Sequence, residues 1–414
     1  TSAPIQTDEE ETPVTLEGCS ELPIQETLDE DDTVVVYSWN DDISSLISTY
    51  SDANCEYHVF SEAEYYEQLD AAFASGNAPD LFMCDSEHAT AYARSAQALA
   101  INDLGISNSE VATMFDSSLR IAADADGVIR GLAYEVNPCG VYYNRTLAEE
   151  YLGTSDPTAV AEYFSSWDSF LQTANDISLA SEGEVLITSD ASQLEQAFLS
   201  SRTTPWVSDG ATAMDSAMQD YLELERTLID SELTYNVATG TTEWASLMTN
   251  DQVLAYYGTL SEIRGVFEAN TSSEAQWSLI DAPVSYCEGG EWMMASSTCN
   301  MRASCAKIMR DIALDTEALE SMASNGFFAN SSTVMNELAS DVTNTYDWLA
   351  GQNPIVILLD NAITSSSDMY CEYEATAMDV FDVIEQSYIN NEITTTDEAA
   401  TTFEAILEET IGLV

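Results

Sequence analysis

Apolar and polar positions alternate along the chain in two periods, and each predicts a different element. "DTVVVYSW" (Asp32–Trp39) is a β-branched run of strand length. "SEAEYYEQLDAAFASG" (61–76) changes to the helical period: Tyr66, Leu69 and Phe73 fall on one face, Ser61 stands as N-cap and Gly76 ends the helix. "NAPD" makes the turn into a second strand, "LFMCD" (81–85). This β-α-β rhythm predicts a parallel sheet. "DADGVIRGLAYEVNPCGVYYNR" (124–145) pivots on an Asp126-Gly127 turn and reads as a hairpin. "SSWDSFLQTANDI" (165–177) is an amphipathic helix with Trp167, Phe170, Leu171, Ala174 and Ile177 inward. Further helices are expected at 213–230, 305–325 and 396–411, the last opened by a Thr395/Glu398 capping box. The fold class is α/β.

A chain of 414 residues is too long for one ordinary core and suggests two domains or more. No apolar run approaches the roughly 18 residues that a spanning helix needs. Residues 1–32 are acidic, hold three prolines and read as a disordered leader; "LEGC" (Leu16–Cys19) faintly resembles a lipoprotein box but has no apolar segment before it.

Charge removes whole classes of partner. Ten Lys and Arg against 73 Asp and Glu give −63, and Lys307 is the only lysine. Phosphate backbones need clustered Lys and Arg, so nucleic acid is excluded, and anionic membrane surfaces are disfavoured. Adaptation to high salt explains the charge. So would a sequence in which short polar residues are recorded in place of lysines, and no function is argued from the charge itself.

The eight cysteines contain no C-x-x-C, and only Cys299 and Cys305 lie close in sequence, which speaks against zinc. Buried thiols and disulfides both remain open. A calcium loop through Asp124 and Asp126 fails because Ala122 and Ala133 would occupy its first and last ligand positions. No dinucleotide, P-loop, serine-hydrolase or zinc-protease motif is present, and His58 and His88 sit in no nucleophile or metal pattern, as surface or packing residues. No metal and no cofactor are expected. The sequons at Asn144, Asn270 and Asn330 carry little weight in a Ser/Thr-rich chain.

Taken in order, the segments resemble the solute-binding proteins of carbohydrate ABC transporters, the maltose-binding-protein-like family 1. "TVVVYSWNDD" is similar to the first strand and its ligand-contacting end. "ASGNAPDLFMCD" is similar to the family's helix-turn-strand, "GVIRGLAYEVNPCGVYYNRTLAEEYLG" to the first crossover, "GGEWMMASS" to the second and "NGFFANSS" to the third. Ala133 stands where proline is common, Cys139 where a small residue is usual, and Leu260 near a frequent tryptophan.

The resemblance implies a two-lobed periplasmic-binding-protein-like fold of type II, with a hinge of several chain crossovers. Lobe I would hold 33–136 and 293–328, and lobe II 137–292 and 329–414. It implies a non-enzymatic, extracytoplasmic receptor, periplasmic or a cell-surface lipoprotein with its anchor outside this chain, working as a monomer. A sugar or oligosaccharide would be captured between the lobes and passed to ABC-permease subunits. Ligands of open α/β sheets sit beyond the carboxyl ends of strands, which singles out Trp39, Asn40, Asp41, Asp42 and Asp85. Glu135 and Asn137 at the first crossover, Trp292 at the second, and Tyr257, Phe328 and Tyr370 near the expected edges complete the candidate set. Rival readings are a polyamine or other cationic solute on the same fold, a secreted glycan-cleaving enzyme, and a structural surface protein. If the charge is as recorded, mutual repulsion of the lobes favours the open state, so solute affinity rises with salt; calorimetry between low and molar salt checks this, and an unchanged affinity overturns it.

Overall fold

The computed structural model describes residues 32–270 and 276–413. Residues 1–31 of the leader, with Cys19 and the Leu16–Cys19 stretch, lie outside the described residues, and the Asn270 sequon runs into others that do. The strands are β1 (Thr33–Ser38), β2 (Asn54–Val59), β3 (Leu81–Asp85), β4 (Gly131–Ala133), β5 (Cys139–Asn144), β6 (Val207–Ser208), β7 (Ala211–Thr212), β8 (Ala255–Thr259), β9 (Trp277–Ile280) and β10 (Glu291–Ala295). The chain divides into two compact units. Unit 1 takes the residues up to Val136, then Gly289–Val334 and Tyr370–Glu374; unit 2 takes Asn137–Glu288, Met335–Met369 and Ala375–Val414.

Unit 1 is built on a sheet of order β2-β1-β3-β10-β4. β1 runs parallel to β2 and β3, as the β-α-β rhythm predicts, but β10 lies antiparallel to β3 and β4. The sheet is therefore mixed, because its fourth strand arrives from far along the chain. Pleating sends alternate side chains to opposite faces. On one face Val34, Val36, Leu81 and Met83 meet Ile43, Leu46 and Ile47 of the helix Asp42–Tyr50, and Ile308, Met309 and Ile312 of the helix Arg302–Ala313. On the other, Phe82, Cys84 and Met294 meet Tyr65 and Leu69 of the helix Glu62–Ser75 and Ala89 and Ala93 of the helix Ser86–Arg94. A sheet covered on both faces explains why these strands read as continuous apolar runs.

The helix Glu62–Ser75 has the predicted ends, Gly76 being left-handed at φ 74°, but Ser61 at the N-cap position makes no side-chain capping bond and its hydroxyl donates instead to Glu64 Oε2 at 2.7 Å. Its buried stripe is Tyr65, Leu69 and Ala72, displaced from the expected Tyr66 and Phe73, both of which are half-buried. The Asp126-Gly127 turn is closed by an antiparallel bridge between Ala123 and Ile129. The 305–325 segment forms two helices, Arg302–Ala313 and Thr316–Ser324, the second capped by Asp315.

Unit 2 centres on an antiparallel sheet of order β8-β5-β9. Its core is aromatic: Phe267 packs on Trp277 at 4.2 Å between ring centroids, and Tyr142 stacks on Trp348 at 6.0 Å. Ser166 caps the helix Trp167–Ala180, where Phe170, Ala174 and Ile177 are buried as expected. Trp167 is half-buried and stacks on Phe198 at 4.5 Å, and Leu171 is half-buried rather than enclosed. Thr395 caps the helix Thr396–Ile411 through the Glu398 amide, and Glu398 answers by accepting from the Thr394 amide. Two sequon asparagines prove internal. Asn144 is fully buried and caps the helix Arg145–Tyr151, while Asn330, in unit 1, is fully buried and bonds Phe115, Ser118 and Ala133.

Unit 2 also encloses a carboxyl pair. Glu225 and Glu385 are buried to 5% and 9% exposure, and the Tyr221 hydroxyl donates to Glu385 Oε1 at 2.7 Å. Burial, and then repulsion by Glu385, push the Glu225 carboxyl up to about 9. Unfolded, Glu225 would release its proton near pH 4.3. Between those values the folded state holds one more proton, so this group lowers stability as pH rises, levelling off above about pH 9. Glu225→Gln supplies a permanent N–H donor in place of that proton. Thermal denaturation should show the variant several degrees more stable at pH 8 and the gain shrinking towards pH 4.

Candidate functional site

At the carboxyl end of β1 the chain turns sharply under local hydrogen bonds. Buried Ser38 donates through Oγ to the Asn40 carbonyl at 2.6 Å, and Asn40 Oδ1 accepts from the Asp42 amide at 3.0 Å. The turn leaves Trp39 half-buried across the sheet end, touching the cores of both faces. Its ring meets Tyr65 edge-on at 5.2 Å and lies 6.4 Å from Tyr66. Asp41 and Asp42 are exposed at the start of the helix Asp42–Tyr50.

The end of β3 contributes Asp85, which is doubly employed. Its Oδ1 caps the helix Ser86–Arg94 by accepting from the amides of Glu87 and His88 at 3.0 and 2.9 Å. His88 Nδ1 lies 2.9 Å from the same oxygen, and the Tyr66 hydroxyl donates to Oδ2 at 2.8 Å. Tyr66 and His88 stack at 3.5 Å between centroids. Burial works against the charge of Asp85, but the bonds from His88 and Tyr66 prevail and hold its carboxyl below the usual range.

Strand register brings in a residue that the sequence reading overlooked. Antiparallel pairing sets Glu291 of β10 opposite Asp85 of β3. Glu291 accepts from Asn40 Nδ2 at 2.8 Å and from the Tyr134 hydroxyl at 2.9 Å. Burial raises the Glu291 carboxyl despite both bonds. Glu135 goes further: burial first, then repulsion from Glu291 and Asp42, raise it to about 8. No hydrogen bond reaches the Glu135 carboxylate among the described residues.

Trp39, Asn40, Asp42, Asp85 and Glu135 thus gather in unit 1 with Glu291, Tyr66, His88 and Tyr134, and Asp41 stands exposed beside them. Trp292 and Phe328 do not join this wall. Trp292 is 3% exposed, packed in the core, and its Nε1 donates to the Ser118 carbonyl at 2.8 Å. Phe328 is 5% exposed against Phe115. The cause for Trp292 is a one-residue step along β10: in a pleated strand Glu291 and Trp292 face opposite sides, and no local signal fixes which is inward. Tyr370 is half-buried against the core that includes Trp292, and its carbonyl accepts from Arg94. Tyr257 and Asn137 belong to unit 2. Tyr257 is enclosed beside Phe170 and Trp167, and the Asn137 carbonyl accepts from the Glu288 amide at 2.9 Å. His58 is half-buried, 2.9 Å from Glu56. His88, expected only at the surface or in packing, serves the wall through the Asp-x-x-His spacing on one helical turn; that spacing was the signal available.

Residues 53–346 match the family of bacterial extracellular solute-binding proteins. The chain belongs to that family. Membership places the work of this solute-binding protein outside the cytoplasm, and among the described residues no helix is long and apolar enough to cross a membrane. Solved structures share its two-lobed α/β fold. A family 1 extracellular solute-binding protein matches at TM-score 0.75 and 13% identity, over 91% of this chain and 99% of that one. The sugar-binding protein MalE of Xanthomonas citri matches at TM-score 0.73 and 12% identity, over 92% and 98%. The ABC-transporter-associated binding protein of B. animalis subsp. lactis, solved with β-1,6-galactobiose, matches at 0.65 and 18%, over 91% and 97%. No curated protein matches the chain by sequence.

Tyr66 links helix, strand end and cap, so Tyr66→Phe tests how firmly the solute-binding protein holds its wall. Loss of the bond to Asp85 should destabilise by roughly 1–2 kcal/mol at pH 7. A depressed carboxyl contributes stability above its unfolded value and loses it as pH falls through the folded one, so the deficit should narrow by pH 3. Denaturant midpoints at the two pH values check this.

Proposed function

We propose that the protein captures a sugar or oligosaccharide at the strand ends of unit 1 and delivers it unaltered to the permease subunits of an ABC transporter. The observation that carries this reading is Trp39, half-buried at the end of β1 beside Asn40, Asp42, Asp85 and Glu291. A sugar ring has an apolar C–H face and a rim of hydroxyls that both donate and accept. An indole held by packing suits the first, and amide and carboxylate groups suit the second, with charge-assisted bonds the stronger. Rigidity lowers the cost of binding, and Asn40 is fixed from both ends of its amide.

The ligands of solved neighbours support a carbohydrate: β-1,6-galactobiose, cycloalternan, tagatose and acarbose. In this reading Asp41, Asp42 and Glu135 hold hydroxyls and Asp85 braces the wall from its cap position, with Tyr370 beside it in unit 1. Asn137 and the buried Tyr257 instead serve the structure of unit 2. Trp292 and Phe328 act by packing. The protein works as a monomer, periplasmic or lipid-anchored at the cell surface, and has no catalytic role.

A cationic solute such as a polyamine is the second reading, favoured by one observation. Asp42, Glu135 and Glu291 crowd their negative charges together, with Glu135 raised to about 8. A bound cation would drive Glu135 to release its proton, whereas a neutral sugar would not. A thermal-shift panel of mono- and disaccharides and polyamines should give its largest shift with a sugar, since ligand at 100 times Kd stabilises by about 2.7 kcal/mol. Trp39→Ala should then weaken that sugar roughly 10- to 100-fold in calorimetry, the scale of one stacked aromatic contact and its buried area. Shifts with polyamines alone, with proton release into buffers near pH 7.5, would replace the sugar reading by the cationic one.

A further inference from the structure

The turn that follows β10 holds two cysteines whose placement has a chemical consequence. Cys299 lies in the turn, with its amide donating to the Ser296 carbonyl at 2.9 Å. Cys305 lies in the first turns of the helix Arg302–Ala313. Their sulfurs are 3.6 Å apart, at 4% and 0% exposure, within the core cluster that also contains Met293, Ile308 and Met309. A disulfide needs about 2.0 Å, so each sulfur would move by roughly 0.8 Å, within reach of a modest χ1 rotation. Among the described residues no third His, Cys, Asp or Glu completes a metal site around the two thiols.

The helix they adjoin begins poorly. Its N-cap residue, Met301, makes no side-chain capping bond, and its first turn carries Arg302 and no acid. A free helix start has unsatisfied amides and a partial positive charge, so this end gains most from a covalent tie. Family membership places the chain in an extracytoplasmic, disulfide-permissive setting.

We propose that Cys299 and Cys305 form a disulfide in the mature protein, pinning the start of the helix Arg302–Ala313 to the turn after β10. The oxidant is a protein or small-molecule disulfide. One cysteine thiolate attacks it, breaking its S–S bond and releasing one thiol; the second cysteine, as thiolate, then attacks the mixed disulfide and releases the other. Two cysteine protons and two electrons leave in total, and the oxidant is reduced to two thiols. Because both sulfurs are buried once folded, the exchange takes place before the helix packs on the sheet.

Trypsin tests the bond on the intact chain, because Arg302 lies between the two cysteines. Protein secreted into an oxidising compartment, blocked with N-ethylmaleimide while denatured and then digested, should yield residues 265–302 linked to Ala303–Lys307, separable by reductant. The link should survive Cys287→Ser, whose cysteine shares the larger peptide, and vanish in Cys299→Ser. Reductant should also lower the Tm of the wild type by roughly 5 °C, the scale of a short closed loop in a domain of this size, and by less in Cys299→Ser. Recovery of Cys299 and Cys305 both carrying maleimide overturns the proposal, as does a link that persists in Cys299→Ser. A linked protein whose Tm ignores reductant would overturn the stabilising role.

Discussion

A carboxylate at the end of a buried strand must find donors or keep its proton, and the wall in unit 1 is arranged around that constraint. Asp85 finds donors: two helix amides, His88 and Tyr66 surround it, so it stays charged while half-buried. Glu291 has two donors, Asn40 and Tyr134, and burial still raises it. Glu135 has none among the described residues and is raised furthest. The gradient runs from a carboxylate committed to structure to one left with its hydrogen-bonding capacity unspent. Only the latter kind has much to offer a solute, because an atom already saturated by protein donors must give up a bond to make another.

The fold supplies this gradient through one unusual strand. β10 enters between β3 and β4 against the direction of the first three strands. That reversal sets its first residue, Glu291, beside the last residue of β3, Asp85. A parallel strand in the same place would have put its carboxyl end, Ala295, there instead. Acids from segments some 200 residues apart therefore share one sheet end. The tyrosines that serve them, Tyr66 and Tyr134, come from a helix of the first segment and from the stretch just after β4.

Ligand recognition and stability are linked at this place. Trp39 packs against the cores of both sheet faces while lying at the sheet end, so its position is set by the same contacts that hold the sheet together. The helix Arg302–Ala313 covers one of those faces and follows β10 directly, and the proposed tie between Cys299 and Cys305 would act on the segment that carries Glu291. Buried acid is a theme of unit 2 as well, where Glu225 and Glu385 accommodate each other by keeping a proton. A chain so rich in Asp and Glu uses capping, tyrosine donors and retained protons because it has few basic side chains to spare.

The sequence by itself determined the local elements and the order of the segments. Periodicity located the strands at 33–38 and 81–85, the helices at 62–75 and 167–180, and the turn at Asp126-Gly127, since these depend on neighbours within a few residues. The ordered landmarks were enough to point to the family, and the end of β1 was legible as a site because Trp39 and Asn40 follow a buried run directly. Tertiary structure alone decided the partners. Whether Glu291 or Trp292 faces the wall depends on the register of β10 against β3, a contact across the chain that no local period encodes. Whether Asp85 is spent as a cap or offered to a solute depends on His88 and Tyr66 being folded against it. The closeness of Cys299 to Cys305 was visible in spacing, but their burial in one core came only from packing the helix on the sheet.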